Sequence, residues 1–260
     1  MVFFMLIQIL LIFFTLPVIS QTTINYEVYD GLLRTHINEQ GYVNYVGLKK
    51  DFAQLQTFIQ NLSEVSPENH PEIFDNENEK LRYFATAYNA WTLYHVTKSY
   101  PKKDTMWGKL LFKDKPIVLG NQKLTLNDLE HKILRPRFQD PRVHFYINCA
   151  ARSCPPLQQG GISAGKTDET LERSARAFIN NKKYVTFDPA TKKLQISKIF
   201  DWFEEDFLGY LKSKKGIQNP HISQYILLFI EGESKEKLAN VPLNEIKVSH
   251  FDYDRSLNEW

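Results

Sequence analysis

The sequence predicts an α+β fold: a single globular domain of several helices with short antiparallel strands or hairpins and one largely buried central helix. Segments with apolar residues at helical spacing alternate irregularly with pairs of short strand-like runs. Turn residues connect the two runs of each pair, as in a hairpin. Their order lacks the regular βαβ alternation that would predict a parallel α/β sheet. The 260 residues, 43% of them hydrophobic, suffice for one well-filled core. A net charge of +2 lacks the basic excess of nucleic-acid-binding proteins, and we expect no nucleic-acid partner.

The first twenty residues form an uncharged and almost entirely apolar run. They predict a signal peptide over residues 1–20, because Val18 and Ser20 are small residues suited to a signal-peptidase site. The mature domain would then cover residues 21–260 in a secreted or lumenal, extracytoplasmic compartment, with no membrane segment once the signal is removed. An uncleaved anchor is the alternative. A glycosylation sequon begins at Asn61, and its use depends on the host and on exposure.

The next part of the chain predicts three helices. Apolar residues at helical spacing indicate helices over 24–37 and 48–62, and a loop rich in Pro, Glu and Asn follows over 66–78. The third helix, over about 79–100, is apolar nearly all round, which is typical of a helix enclosed by the fold. It carries Asn89, whose amide needs partners because leaving it buried and unsatisfied costs about 1–3 kcal/mol. Asn89 therefore either holds a neighbouring loop or orients a catalytic group.

A hairpin and a short helix follow. Gly-Asn supplies the turn of a hairpin over 117–126, and a Thr-x-x-Asp capping box then opens a helix that ends before Pro136. This helix carries Glu130 and His131. They form either a helix end that pairs with Arg135 or part of a site.

The last part of the chain predicts one more hairpin and three more helices. A helix is indicated over 167–180, and polar and apolar residues alternate around a Pro-Ala-Thr turn over 184–197. Helical spacing returns over 199–211, and residues 221–230 predict a last helix. No internal repeat or domain linker interrupts this order, which supports one domain.

Both cysteines lie in residues 142–157, R-V-H-F-Y-I-N-C-A-A-R-S-C-P-P-L. The apolar run 143–147 predicts a buried strand that delivers polar groups to one place and then turns at two prolines. The polar residues of this segment are His144, Asn148, Cys149, Arg152 and Cys154. The segment is therefore the predicted centre of a functional site.

Five blocks of the sequence form a recognisable set. They are A-Y-N-A at 87–90, L-E-H-K-I-L-R-P at 129–136, H-F-Y-I-N-C-A-A-R-S-C-P-P-L at 144–157, I-F-D-W-F-E-E-D-F at 199–207 and D-Y-D-R-S-L-N at 252–258. In this order they resemble the signature blocks of the family called domain of unknown function 547, with the core blocks at about 79–207. The resemblance implies no activity, because the family is named for its unknown function. Thr86 stands where the family often has a further Asn, and Arg255 where it usually has Trp.

Three chemistries remain open for the cysteines. A Cys149–Cys154 disulfide suits an oxidising compartment, and a turn can bring two Cα atoms within the required 4.4–6.8 Å or so. A cysteine nucleophile with a histidine base would give hydrolysis or acyl transfer. Zinc bound by His144 and the two cysteines, completed by Glu130 or His131, is the weaker alternative, and we expect no cofactor.

Strand geometry limits the nucleophile hypothesis. An extended strand takes five residue steps of about 3.3 Å from His144 to Cys149, which places them roughly 16 Å apart. His131 would then reach Cys149, or Cys154 would meet His144, with Asn89 or Glu130 orienting the imidazole and Arg152 binding a substrate carboxylate. The candidate catalytic residues are Cys149, His131, Glu130, Asn89, His144 and Cys154, and the candidate substrate-binding residues are Arg152 and Asn148.

Two functions are therefore predicted for a secreted protein. One is a thiol-dependent hydrolase or acyl transferase with a Cys/His site. The other is a non-enzymatic extracellular binding module in which the Cys149–Cys154 disulfide is structural. Either would act on a small molecule or a peptide, which the sequence does not specify.

Overall fold

The computed structural model describes residues 23–101 and 113–260, which form a mixed α+β fold as predicted. The helices are α1 (Tyr26–His36), α2 (Tyr45–Lys50), α3 (Phe52–Glu64), α4 (Glu77–Ser99), α5 (Leu126–Asp128), α6 (Thr167–Ile179), α7 (Lys198–Trp202), α8 (Glu204–Lys215), α9 (Ile222–Leu227) and α10 (Gly232–Ala239). The strands are β1 (Pro116–Leu119), β2 (Gln122–Thr125), β3 (Val185–Asp188), β4 (Lys193–Ile196) and β5 (Lys247–His250). The predicted signal peptide, residues 1–20, lies outside the described residues. Across the described ranges, no helix combines the length and apolarity needed to cross a membrane.

Helix α4 is the buried central helix that the sequence predicts. It begins after Asn76, whose side chain accepts a hydrogen bond from the Glu79 N–H. Its residues from 81 to 93 are buried without interruption. The reason is that α2, α3, α6 and a π-helical segment, Leu129–Phe138, all pack against it. A helix surrounded in this way needs apolar residues on every face, as its sequence has.

The strands form two small sheets. Strands β1 and β2 make the first predicted hairpin, and β3 and β4 make the second, both antiparallel. Strand β5 then pairs with β4 in parallel. Strand β5 was not predicted, because its four residues, K-V-S-H, carry a single apolar side chain and give no clear alternation.

The hydrophobic core has two clusters that meet at residues 143–147. The first cluster surrounds α1 to α4, and the second lies between α6, α8, α9 and the three-stranded sheet. Phe145 belongs to the second cluster, where its ring centroid lies 4.9 Å from that of Phe178 and 5.7 Å from that of Phe207. Its neighbours Val143 and Tyr146 belong to the first. This segment therefore joins the two halves of the core.

The predicted strand over residues 143–147 is wrong. The chain forms a 3-10 helix, Pro141–Phe145, whose first turn is closed by the Asp140 side chain accepting a hydrogen bond from the Arg142 N–H. A short apolar run indicates that a segment is buried. When the segment is buried on both faces, this pattern fits a strand and a tight helical turn equally well. The extended-strand separation of His144 from Cys149 that was expected on this basis is therefore wrong as well.

Three predicted helix limits also differ. Pro136 does not end its helix, because it lies inside the π-helix, whose wider turn relieves the clash that proline causes in an α-helix. The helix over 48–62 divides at Asp51 into α2 and α3, and that over 199–211 divides at Phe203 into α7 and α8. The Thr125–Asp128 capping box is confirmed, with both reciprocal hydrogen bonds present.

The sequon at Asn61 lies inside helix α3, and Asn61 is only 8% exposed. Attaching a glycan to a side chain with so little exposure would require local rearrangement of the helix. The folded protein therefore does not present Asn61 for glycosylation.

Candidate functional site

Cys149 and Cys154 are joined by a disulfide, and their Cα atoms lie 5.9 Å apart, inside the range that disulfides require. Cys154 is 2% exposed, whereas Cys149 is half-buried. Of the three chemistries considered, the disulfide is the one present in this structure.

Asn89 holds the beginning of the cysteine loop. Its Nδ2 donates to the Tyr146 carbonyl at 3.1 Å, and its Oδ1 accepts from the Asn148 N–H at 2.7 Å. Its amide thus bonds two backbone groups of the segment that joins the two core clusters. This is the first of the two roles considered for Asn89, that of an amide holding a neighbouring loop.

Asn148 closes the loop from within. Its Nδ2 donates to the Pro155 carbonyl at 2.6 Å, and its Oδ1 accepts from the Ala150 N–H at 2.7 Å. The Asn258 amide also donates to that oxygen at 3.3 Å. Because Asn148 is 2% exposed and its amide is occupied by the protein, it offers no group to a substrate.

A cleft of about 460 Å³ opens beside the disulfide. Its walls are mainly apolar and aromatic, and Glu130, His144 and Cys149 contribute polar atoms to them. The exposed Lys113 and Arg255 also line it. The apolar and aromatic lining residues are Tyr88, Ile147, Ala151, Pro155, Ile199, Trp202, Phe203 and Tyr253. This volume and lining are typical of small-molecule sites.

Residues 74–179 match the family model described as "Protein of unknown function, DUF547". This segment belongs to the DUF547 family. The predicted resemblance is thereby confirmed, and the DUF547 segment contains the blocks at 87–90, 129–136 and 144–157. The match does not extend to the blocks at 199–207 and 252–258. No curated protein and no solved structure matches the chain.

Glu130 of the DUF547 segment is a buried carboxylate without a cationic partner. It is 9% exposed, and the Tyr88 hydroxyl donates to its Oε2 at 3.1 Å. Burial, reinforced by the nearby carboxylate, raises the pKa of Tyr88 well above its usual value, so the phenol stays protonated and donates. None of the described Lys, Arg or His side chains forms an ion pair with Glu130. Burying a carboxyl group with a single hydrogen bond is costly, so Glu130 needs a further polar or cationic partner.

Tyr253 brings the C-terminal segment over the disulfide. Its hydroxyl lies 3.1 Å from Cys149 Sγ and 3.2 Å from Cys154 Sγ. Burial raises its pKa, and the protonated phenol donates to sulfur. Its ring packs against that of Trp202 at 4.7 Å, and the Arg255 guanidinium lies over both rings. Arg255 therefore caps this aromatic wall.

His144 lines the cleft but does not contact Cys149. Its Nε2 lies 2.8 Å from Asp206 Oδ2, and Phe203 stacks on its ring at 4.0 Å. Arg135 donates to the same carboxylate at 2.7 Å. Burial raises the pKa of Asp206, but the hydrogen bonds from His144 and Arg135 together outweigh it and lower the pKa to about 2. His144 is thus anchored at the base of the cleft by an ionised carboxylate.

His131 and Arg152 lie apart from the cleft lining. His131 is exposed, and its Nδ1 lies 2.8 Å from Arg135 Nη1, which is the helix-end pairing considered for it. Arg152 donates to the Glu259 carbonyl at 3.0 Å and lies over the Tyr42 ring. The structure thus brings Glu130, His144 and Cys149 to one cleft and leaves the other candidates around it. Within the described ranges, no three His, Cys, Asp or Glu residues come together as a metal site.

Tyr88, Trp202 and Tyr253 are among the cleft residues that were not predicted as site residues from the sequence. Each lies in one of the five blocks, beside a residue that had been singled out or at the centre of a conspicuous aromatic run. The sequence predicted that blocks 87–90 and 129–136 reach the cysteine block, but it did not predict that blocks 199–207 and 252–258 join them. Only the fold places Tyr253 on Cys149, 104 residues away.

Proposed function

We propose that the protein is a secreted binding protein whose cleft takes a small molecule or a peptide end with a cationic group and an apolar body. The observation that carries this proposal is Glu130, a buried carboxylate that lines the cleft and has no cationic partner among the described residues. A ligand ammonium or guanidinium would supply the missing charge. Binding of this kind needs no cofactor.

The remaining charges of the cleft favour a zwitterionic ligand. Lys113 and Arg255 are exposed, and neither forms an ion pair with a described carboxylate. A ligand whose cation reached Glu130 would place a carboxylate or phosphate near these two side chains. Apolar walls between the two ends would take an aliphatic or aromatic body.

Replacing Glu130 with Gln is expected to weaken binding of 4-phenylbutylamine about ten- to hundredfold, because a hydrogen bond to a charged group contributes about 1.5–3 kcal/mol. The N-acetyl derivative of this amine, which carries no charge, is expected to bind the wild type as weakly as the amine binds the variant. Titration followed by protein NMR measures both.

Glu27→Gln is the matched control, because Glu27 is exposed on α1 and lies outside the cleft. It should leave amine binding unchanged. Equal binding of the charged and acetylated probes, or an unchanged affinity in Glu130→Gln, would contradict the proposal.

Thiol-dependent hydrolysis or acyl transfer is the second candidate, favoured by the position of Cys149 in the cleft wall. It requires the disulfide to be open in the working protein. Intact-mass measurement with and without reduction and alkylation decides between the two states. A quantitative Cys149–Cys154 bond in the active protein would exclude a thiol nucleophile.

Secretion is also part of the proposal. It is supported by the apolar run at residues 1–20 and by the disulfide, since oxidising compartments preserve such bonds. N-terminal sequencing of protein collected from the culture medium is expected to begin at Gln21. An intact Met1 on membrane-bound protein would indicate an uncleaved anchor instead.

A further inference from the structure

We propose that the Cys149–Cys154 disulfide is redox-active: a thiolate that enters the cleft attacks Cys149 Sγ, and Cys154 Sγ leaves as the thiolate. The substrate class is a low-molecular-weight thiol or a cysteine-containing peptide. The proposal rests on the proposed function only in using the same cleft as the entry path. It assigns an activity to the disulfide in addition to its role in shaping the loop.

Exposure distinguishes the two sulfur-bearing residues. Cys149 lines the cleft, whereas Cys154 does not and is 2% exposed. Thiol–disulfide exchange requires the attacking thiolate to approach one sulfur along the S–S axis from the side opposite the leaving sulfur. Attack is therefore directed to Cys149, and Cys154 is the leaving group.

The protein surrounds the leaving sulfur with hydrogen-bond donors. Cys154 Sγ accepts from the N–H groups of Cys149 and Ala151, each at 3.2 Å, and the Tyr253 hydroxyl lies at 3.2 Å. A disulfide sulfur is a weak acceptor, but a thiolate is a charged one, so these donors contribute much more after the S–S bond breaks. The donors therefore stabilise the reduced state of the protein. They also make the Cys154 thiolate less basic, and a less basic thiolate leaves a disulfide faster.

The backbone is strained at the point that aims these donors. Ala150 lies between the two N–H donors and has a φ of +62°, the left-handed region that non-glycine residues rarely adopt. Such a turn can aim the N–H groups on either side of it at one point and so make an anion-binding nest. Here the nest holds Cys154 Sγ. Strain of this kind persists where it serves a site.

The reaction balances without a metal or another oxidant. The first thiolate forms a mixed disulfide with Cys149 as the Cys149–Cys154 bond breaks, and the bonding electron pair goes to Cys154. A second thiolate attacks the substrate sulfur and releases Cys149 as its thiolate. Two thiols have then become one disulfide, and the protein has become a dithiol that takes up the two protons. A small disulfide such as oxidised glutathione reverses the sequence and regenerates the bond.

The first test equilibrates the full-length secreted protein with buffers of reduced and oxidised glutathione and counts free thiols by alkylation and intact mass. The folded wild type is expected to be reduced by millimolar glutathione. Tyr253→Phe is expected to shift the equilibrium about tenfold toward the disulfide, because it removes one hydrogen bond to the thiolate.

Tyr184→Phe is the matched control, since the buried Tyr184 hydroxyl donates to the Cys154 carbonyl and not to its sulfur. The Tyr184→Phe variant should therefore show the same ratio of disulfide to dithiol as the wild type in each glutathione buffer. A wild type that resists glutathione until it unfolds, or equal shifts in the two tyrosine variants, would overturn the proposal. Circular dichroism confirms that each variant is folded.

The second test uses the single-cysteine variants. Cys154→Ser is expected to form a glutathione adduct on Cys149 within minutes. Cys149→Ser is expected to form an adduct on Cys154 much more slowly, because Cys154 is buried. In Cys149→Ser, absorbance at 240 nm should show a thiolate fraction at pH 7 well above the roughly few per cent of a free cysteine. A fraction no higher than that, or faster adduct formation on Cys154, would count against the assigned roles. Since glutathione replaces the amine probe here, failure would leave the cation-binding proposal standing, and the reverse also holds.

Discussion

Replacing Asn89 with Leu is expected to lower the free energy of unfolding by about 3 kcal/mol. The substitution keeps the volume but removes both hydrogen bonds of the amide, at 3.1 Å to the Tyr146 carbonyl and at 2.7 Å from the Asn148 N–H. Both backbone groups would stay buried without a partner, and each such loss costs about 1–3 kcal/mol. Urea denaturation at neutral pH, analysed by linear extrapolation, measures the change.

Asn61→Leu provides the matched control for this prediction. Asn61 in helix α3 is also buried, at 8% exposure against 2% for Asn89, but its amide makes no hydrogen bond with the described residues. The same change of side chain there should be close to neutral or slightly stabilising. Equal losses in the two variants would show that Asn89 acts through packing, and the role of the amide in holding the cysteine loop would have to be abandoned.

Local patterns in the sequence were enough to predict most elements. Helix α4 is apolar on every face because other elements surround it, and that property is visible in its own residues. The Thr125–Asp128 capping box is equally local, since donor and acceptor lie three residues apart. Signals of this kind need no knowledge of the tertiary structure.

Elsewhere the same local pattern fitted more than one structure. The apolar run 143–147 satisfied the expectation for a strand, but Asp140 and Pro141 start a 3-10 turn and both core clusters accept its side chains. Pro136 likewise stopped the predicted helix, although the π-helix accommodates it. In both places the decision lies in backbone geometry that the hydrophobic pattern does not encode.

The cleft illustrates a second limit. Glu130 and Cys149 were recognisable as candidates from their residue types and blocks. Their partners Tyr88 and Tyr253 come from helix α4 and from the C-terminal segment, and only the tertiary fold joins them. Two features of the cleft depart from what is usual in proteins: Ala150 has a left-handed backbone conformation, and the Glu130 carboxylate is buried without a cationic partner among the described residues. Such exceptions are expected where a protein is built for function.

The free energy of unfolding is expected to fall by about 3 kcal/mol as the pH drops from about 6.5 to about 4, mainly because of His95. His95 is 7% exposed on α4, and its Nε2 has no hydrogen-bond partner. Burial, followed by the positive charges of Lys115 and Lys98, lowers the pKa of His95 to about 4. Below pH 6.5 the unfolded chain binds a proton that the folded chain does not take up until about pH 4. Stability is therefore full above this interval and is lost across it.

Urea denaturation of the wild type and of His95→Phe at pH 7.0, 5.5 and 4.5 measures this effect. The quantity compared is the slope of the free energy of unfolding against pH, because the substitution can also change the stability at neutral pH. The slope should be much smaller in His95→Phe. His221, whose pKa burial also lowers, accounts for part of what remains. The ionisation of Asp206, with a pKa of about 2, contributes stability that is lost only below this range. A His95→Phe variant with the wild-type slope would show that other groups control the acid sensitivity of the fold.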